Sequence, residues 1–170
     1  VARDDKRLVG DKALSQEPHV SHPRAGNGNR MHSGAQSGQV GNLGLTLDVP
    51  AGAANEPIGV TIQGANGIPA TGDFSVLGQG FSITAQTLGG AAVTQFAQML
   101  KLVIRYTDAD VAGLDESALQ LYYWDTAQTR WIAIPTTVDA AANTLTAQFD
   151  HLTTFAVLGP QADGPDLYLP

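Results

Sequence analysis

The sequence predicts an all-β fold, an antiparallel two-sheet β-sandwich with a long extended N-terminal arm. Short apolar runs with period-two alternation recur from Val40 to Leu158, each closed by Gly, Pro, Asn or Asp. Only 15% of residues are charged, below the ~25% usual for soluble domains, and 19 Gly suit a β-protein outside the cell better than a helical enzyme. Composition also changes near Gly38: the residues before it are polar and lack a sustained apolar period. The expected organisation is an arm over 1–38, a sandwich over 39–160 and an extended tail over 161–170.

Each element follows from its own pattern. Leu43, Leu45 and Leu47 alternate with polar or small residues as a half-buried strand that Pro50 ends. Ile58, Val60 and Ile62 alternate in the same way before Gly64. Phe74 to Leu77 and Phe81 to Thr84 read as strands joined by Gly78-Gln79-Gly80. Ala91 to Phe96 and Met99 to Tyr106 follow, the second with Leu100, Leu102, Ile104 and Tyr106 on one face. Asp110 to Ala118 lacks alternation and reads as a loop with a short helical turn, one carboxylate capping it. Leu119 to Trp124 and Trp131 to Ile134 form a hairpin around Asp125–Arg130, and Thr144 to Phe149 and Phe155 to Leu158 complete the series.

Charge and composition exclude several function classes. The net charge of −7 makes the chain as a whole a poor candidate for nucleic-acid binding. The arm is nonetheless basic, with Arg3, Lys6, Arg7, Lys12, Arg24 and Arg30, and the body is acidic. Without Cys there is no disulfide, thiolate zinc site or cysteine nucleophile. No apolar run approaches the ~18 residues of a membrane-spanning helix. Glycine-rich phosphate loops and Gly-x-Ser-x-Gly elbows are missing, and no cofactor is implied. The chain starts at Val1, as a processed product with its secretory signal removed would.

The segment Phe149-Asp150-His151-Leu152-Thr153-Thr154-Phe155-Ala156-Val157-Leu158 is the most informative. With Tyr122-Tyr123-Trp124-Asp125, Trp131 and Leu45-Thr46-Leu47-Asp48-Val49-Pro50-Ala51-Gly52, it resembles the autoproteolysis-inducing (GAIN) domains of adhesion receptors. It is similar also to the spectrin-binding sandwich modules of ankyrins and netrin receptors and to related modules of bacterial surface proteins. The likeness spans about residues 43–160. It implies a sandwich whose final strand follows a His-Leu-Thr site. In self-cleaving members His151 would take the proton of Thr153, whose hydroxyl attacks the Leu152 carbonyl, and water would then hydrolyse the ester. Receptor motifs carry cysteines that staple the strands around this site. Here the strain on the bond would have to come from the sandwich alone.

Other constellations have simpler readings. Asp108, Asp110, Asp115 and Glu116 are weak Ca²⁺ candidates, because their spacing matches no EF-hand loop. A solvated acidic loop accounts for them. His19, His22 and His32 lie in the polar arm, where such histidines are more often polar filler than metal ligands. Tyr122, Tyr123, Trp124 and Trp131 would suit a carbohydrate platform, but alternation turns about half of them inward, and core packing is expected for Tyr123 or Trp124.

These residues suggest a non-enzymatic secreted or cell-surface structural module, self-assembling into fibres through residues 1–38 or 165–170. The alternatives are self-cleavage between Leu152 and Thr153 and carbohydrate binding.

Overall fold

The computed structural model describes residues 29–31 and 33–162. The readings on His19, His22, His32, most of the arm and the tail from residue 163 lie outside the described residues. Among the described residues, twelve strands form two antiparallel sheets, and one 3-10 turn precedes the eighth strand. In chain order the strands are β1 (Asn29–Met31), β2 (Gly34–Val40), β3 (Leu43–Val49), β4 (Ile58–Gly64), β5 (Ser75–Val76) and β6 (Phe81–Thr87). They continue with β7 (Gln95–Arg105), β8 (Gln120–Asp125), β9 (Arg130–Ile134), β10 (Thr136–Asp139), β11 (Thr144–His151) and β12 (Thr154–Gly159).

The larger sheet runs β1-β4-β6-β12-β8-β9, with β5 also on β12, and the smaller runs β10-β11-β7-β3-β2. Alternation decides which side chains meet between them. In β3, Leu43, Leu45, Leu47 and Val49 are buried and the residues between them are not. Leu100, Leu102 and Ile104 of β7 and Leu145, Ala147 and Phe149 of β11 extend that apolar face. It packs on Ile58, Val60, Phe81, Ile83, Phe155 and Val157 of the larger sheet. Phe155 sits at the centre, its ring 4.7 Å from Phe149 and 5.8 Å from Phe81. The predicted all-β sandwich is thus the observed one.

Individual elements differ from the sequence reading. Among the described residues the first paired strand starts at Asn29, within the segment whose composition reads as arm. β1 pairs with Ile58–Val60 of β4, and β2 pairs along the whole of β3. β2 is nearly devoid of apolar residues and is held by backbone bonds, so hydropathy does not reveal it. The two strands expected over 91–106 are one continuous strand, β7, and Ala92 contributes only an isolated bridge to Gln86. The Phe74–Leu77 strand shrinks to two residues. β10 was not anticipated: Thr-Thr-Val-Asp carries a single apolar side chain.

Turns follow their residue chemistry. Ala53 N–H donates to Pro50 O at 3.1 Å with Gly52 at φ +82°, the type II turn that Pro-Ala-Gly favours. The expected helical turn is Glu116–Ala118, and the Asp115 carboxylate caps it by accepting from Ser117 N. In the β8–β9 hairpin, Asp125 Oδ1 accepts from Ala127 N and Gln128 N, at 2.8 and 3.0 Å. These bonds, that from Gln128 N first, hold the exposed Asp125 carboxyl below the usual range.

Candidate functional site

β11 belongs to the smaller sheet and β12 to the larger, so the chain crosses between sheets over two residues, Leu152 and Thr153. A register shift between Phe149 and His151 bends β11 just before the crossing. The His-Leu-Thr motif therefore sits at the corner of the sandwich.

Each of its residues is held separately. The His151 ring stands edge-on to Tyr123, with centroids 4.5 Å apart. Its Nδ1 lies 3.2 Å from Asp150 Oδ1. A proton on Nδ1 satisfies that contact and leaves Nε2 with the lone pair. Nε2 is buried and makes no hydrogen bond among the described residues. Leu152 is buried, and its N–H donates to Thr94 O at 2.8 Å. Thr153 O accepts from Ile83 N at 3.4 Å, and its hydroxyl donates to the main-chain oxygen of Trp124 at 3.3 Å. Beside the crossing lies an open cleft of about 320 Å³, lined by Ser82, Thr84, Gln86, Thr94, Leu152 and Thr153 among others.

The site thus holds a base nitrogen, a hydroxyl and a peptide bond within three consecutive residues. The hydroxyl is bonded to β8 rather than to His151. Thr94 and the Trp124 carbonyl, which pin the crossing, escape a sequence reading because main-chain acceptors carry no residue signature. Asp150 beside His151 was visible in the motif as a neighbour, but its contact with Nδ1 was not.

The acidic residues are dispersed, each held by its own partner. Asp108 Oδ1 accepts from Asn143 Nδ2 at 2.7 Å. Asp110 Oδ2 accepts from Thr107 Oγ1 and N at 2.7 and 2.8 Å, and its Oδ1 accepts from Asn42 Nδ2 at 3.2 Å. The bond from the Thr107 hydroxyl is the main cause that lowers the Asp110 carboxyl below its usual range. Asp115 caps the 3-10 turn, and Glu116 Oε1 accepts from Tyr106 OH at 2.8 Å. Burial, reinforced by Glu116, pushes the Tyr106 phenol well above its ordinary value. Among the described residues no three His, Asp or Glu side chains gather as a metal site.

All four aromatics of the hairpin are half-buried. Tyr123 packs against the core. Tyr122 and Trp124 lie on the opposite face of β8 by alternation. Trp131 meets Trp124 edge-on, 5.4 Å between centroids at 66°, and donates from Nε1 to Pro69 O at 3.3 Å. Phe74, 42% exposed, lies 5.8 Å from Tyr122. The four outer rings form a tilted patch rather than a flat platform.

No protein-family model matches the chain, and no curated protein matches it.

Proposed function

We propose that this chain is a non-enzymatic structural module, displayed outside the cell, that joins copies of itself through its N-terminal segment. The bond from Thr153 Oγ1 to Trp124 O carries the non-enzymatic part of the reading. A hydroxyl committed to a main-chain acceptor, away from the neighbouring imidazole, is a structural tether and not an activated nucleophile. For the assembly part, β1 lies on the outer edge of the larger sheet through only three register pairs. So short an edge strand adds equally well to β4 of another copy, because the register is a main-chain property. The basic character of residues 1–38 against an acidic body favours that contact.

Sedimentation and electron microscopy of the full chain and of residues 33–170 test this reading. Removing residues 1–32 takes away β1 and leaves β2 whole, and the expected product is a folded monomer. A shortened chain that polymerises like the full one defeats the reading. Cutting at residue 38 would remove most of β2 and confuse unfolding with loss of assembly.

Self-cleavage is the second reading, favoured by the two-residue crossing beside an open cleft and by Asp150 on His151 Nδ1. Thr153 Oγ1 would turn from Trp124, pass its proton to His151 Nε2 and attack the Leu152 carbonyl carbon. The Leu152–Thr153 C–N bond breaks as the Thr153 nitrogen takes a proton. The ester that remains is hydrolysed by water to a Leu152 carboxylate and a free Thr153 hydroxyl. Intact mass under denaturing conditions separates the two: one species at 17.7 kDa in the first reading, two fragments divided after Leu152 in the second.

A further inference from the structure

The last strand, β12, is buried on both of its faces. Phe155 and Val157 belong to the core between the sheets, so alternation turns Ala156 and Leu158 to the outer face of the larger sheet, opposite Tyr122 and Gln120 of β8. An outer face meets solvent, yet Ala156 and Leu158 are 0% and 1% exposed. Residues 65–74, which join β4 to β5, cross this face. A Cβ on Gly80 would run into the Ile68 side chain and lie 3.4 Å from Phe155 O, which sets Ile68 beside β12. The next residue, Pro69, accepts the bond from Trp131 Nε1 of β9, and Phe74 returns to lie against Tyr122.

The crossing segment is fastened lightly. One end is held by Ala65 N, which donates to Gly80 O at 2.9 Å, and the other by the pairing of Ser75 and Val76 with β12. Between these ends Gly67 N donates to Ala65 O, Phe74 N to Thr71 O and Thr71 Oγ1 to Phe74 O, all within the segment. Among the described residues, the 3.3 Å bond from Trp131 Nε1 is the one that ties residues 66–73 to the sheet. Gly67 and Gly72 take φ of +91° and +66° with open space around them. The segment therefore turns at two left-handed positions that suit glycine and strain any other residue.

We propose that residues 66–73 are a strap that opens as a unit while both sheets stay folded, and that its opening uncovers an apolar face of Ala156, Leu158, Tyr122, Trp124 and Trp131. A segment with one hydrogen bond to the body, and with Ala70, Gly72 and Asp73 exposed, opens at a lower free energy than the packed strands beneath it. The other outer face shows why a cover is needed here. On the smaller sheet Thr46, Lys101, Arg105 and Thr146 point outward, and a polar face of this kind can stay open to water. Ala156 and Leu158 instead continue the aromatic hairpin as an apolar stripe, which the strap keeps from solvent. This inference stands apart from the proposed assembly, which uses β1.

The chain has no cysteine, so a thiol introduced beneath the strap reports its opening. In the full chain without denaturant, Ala156→Cys should react with a water-soluble disulfide reagent about tenfold faster than Ala147→Cys, which lies between the sheets and is reached only on global unfolding. Trp131→Phe keeps an aromatic ring and removes the donor to Pro69. It should speed labelling at position 156 several-fold and leave position 147 nearly unchanged. Equal rates at the two positions, or an equal rise at both with Trp131→Phe, overturn the strap as a separate unit. Labelling at position 156 as fast as that of a free thiol overturns its closed state. As a measurement that needs no thiol, Gly67→Ala with Gly72→Ala strains the closed strap at its two left-handed positions. Acrylamide quenching of Trp124 and Trp131, the chain's two tryptophans, should then rise about twofold with the far-ultraviolet circular dichroism unchanged. Unaltered quenching overturns the proposal.

Discussion

The hydroxyl of Thr153 and the main-chain oxygen of Trp124 are bonded at 3.3 Å, across 29 positions of sequence. Through this bond the residue at which the chain enters the larger sheet is tied to the hairpin strand β8, which β12 then pairs with from Phe155 to Leu158. Together with the Leu152–Thr94 bond, it fixes the corner where the chain changes sheets.

Loss of that tether should be measurable. Thr153→Val removes the donor while keeping the shape, and should cost about 1 kcal/mol in urea denaturation, whereas Thr153→Ser should lose less. Equal stability of the Val variant and the parent chain would show that the bond does not hold the corner.

Phe155 is fully buried between Phe81 and Phe149. Phe155→Ala should lower unfolding free energy by about 3–5 kcal/mol, the range for an aromatic deleted from a core. Phe74→Ala removes a ring that is 42% exposed and should stay within about 1 kcal/mol. Comparable losses for the two would contradict the assigned core.

Tyr106 gives the fold an alkaline limit. Its folded pKa lies above the ordinary value of 10.0, because burial and then Glu116 disfavour the phenolate. The neutral phenol is therefore the form the fold prefers, and its contribution is fully present below about pH 10. That contribution is lost as pH rises from there toward the folded value. Thermal unfolding across this range should show Tyr106→Phe falling less steeply than the parent, and parallel curves would contradict the linkage.

Gly78 takes φ +65°, and a Cβ there would lie 3.2 Å from the Leu43 side chain. Gly78→Ala should destabilise by about 1–2 kcal/mol from the left-handed backbone alone. Gly113, at φ +83° with open space around it, should show the backbone cost without the contact. A larger loss at Gly113 than at Gly78 would remove Leu43 from the account.

Strong alternation made β3, β4, β6, β11 and most of β7 readable in the chain, because a strand with one face in the core must place an apolar side chain at every second position. The His-Leu-Thr motif was legible as residues and as the entry to a last strand. That a carboxylate caps the short turn was legible as well, since such a bond is local; that it is Asp115 came from the structure. β1, β2 and β10 were not: their places are set by main-chain hydrogen bonds to β4, β3 and β11, and any residue but proline offers those groups. The same reason hid the partners of the motif. Side-chain periodicity settled the layers and the faces, while the pinning of Leu152 and Thr153 by the carbonyls of Thr94 and Trp124 came from long-range main-chain geometry that exists only once the two sheets are packed.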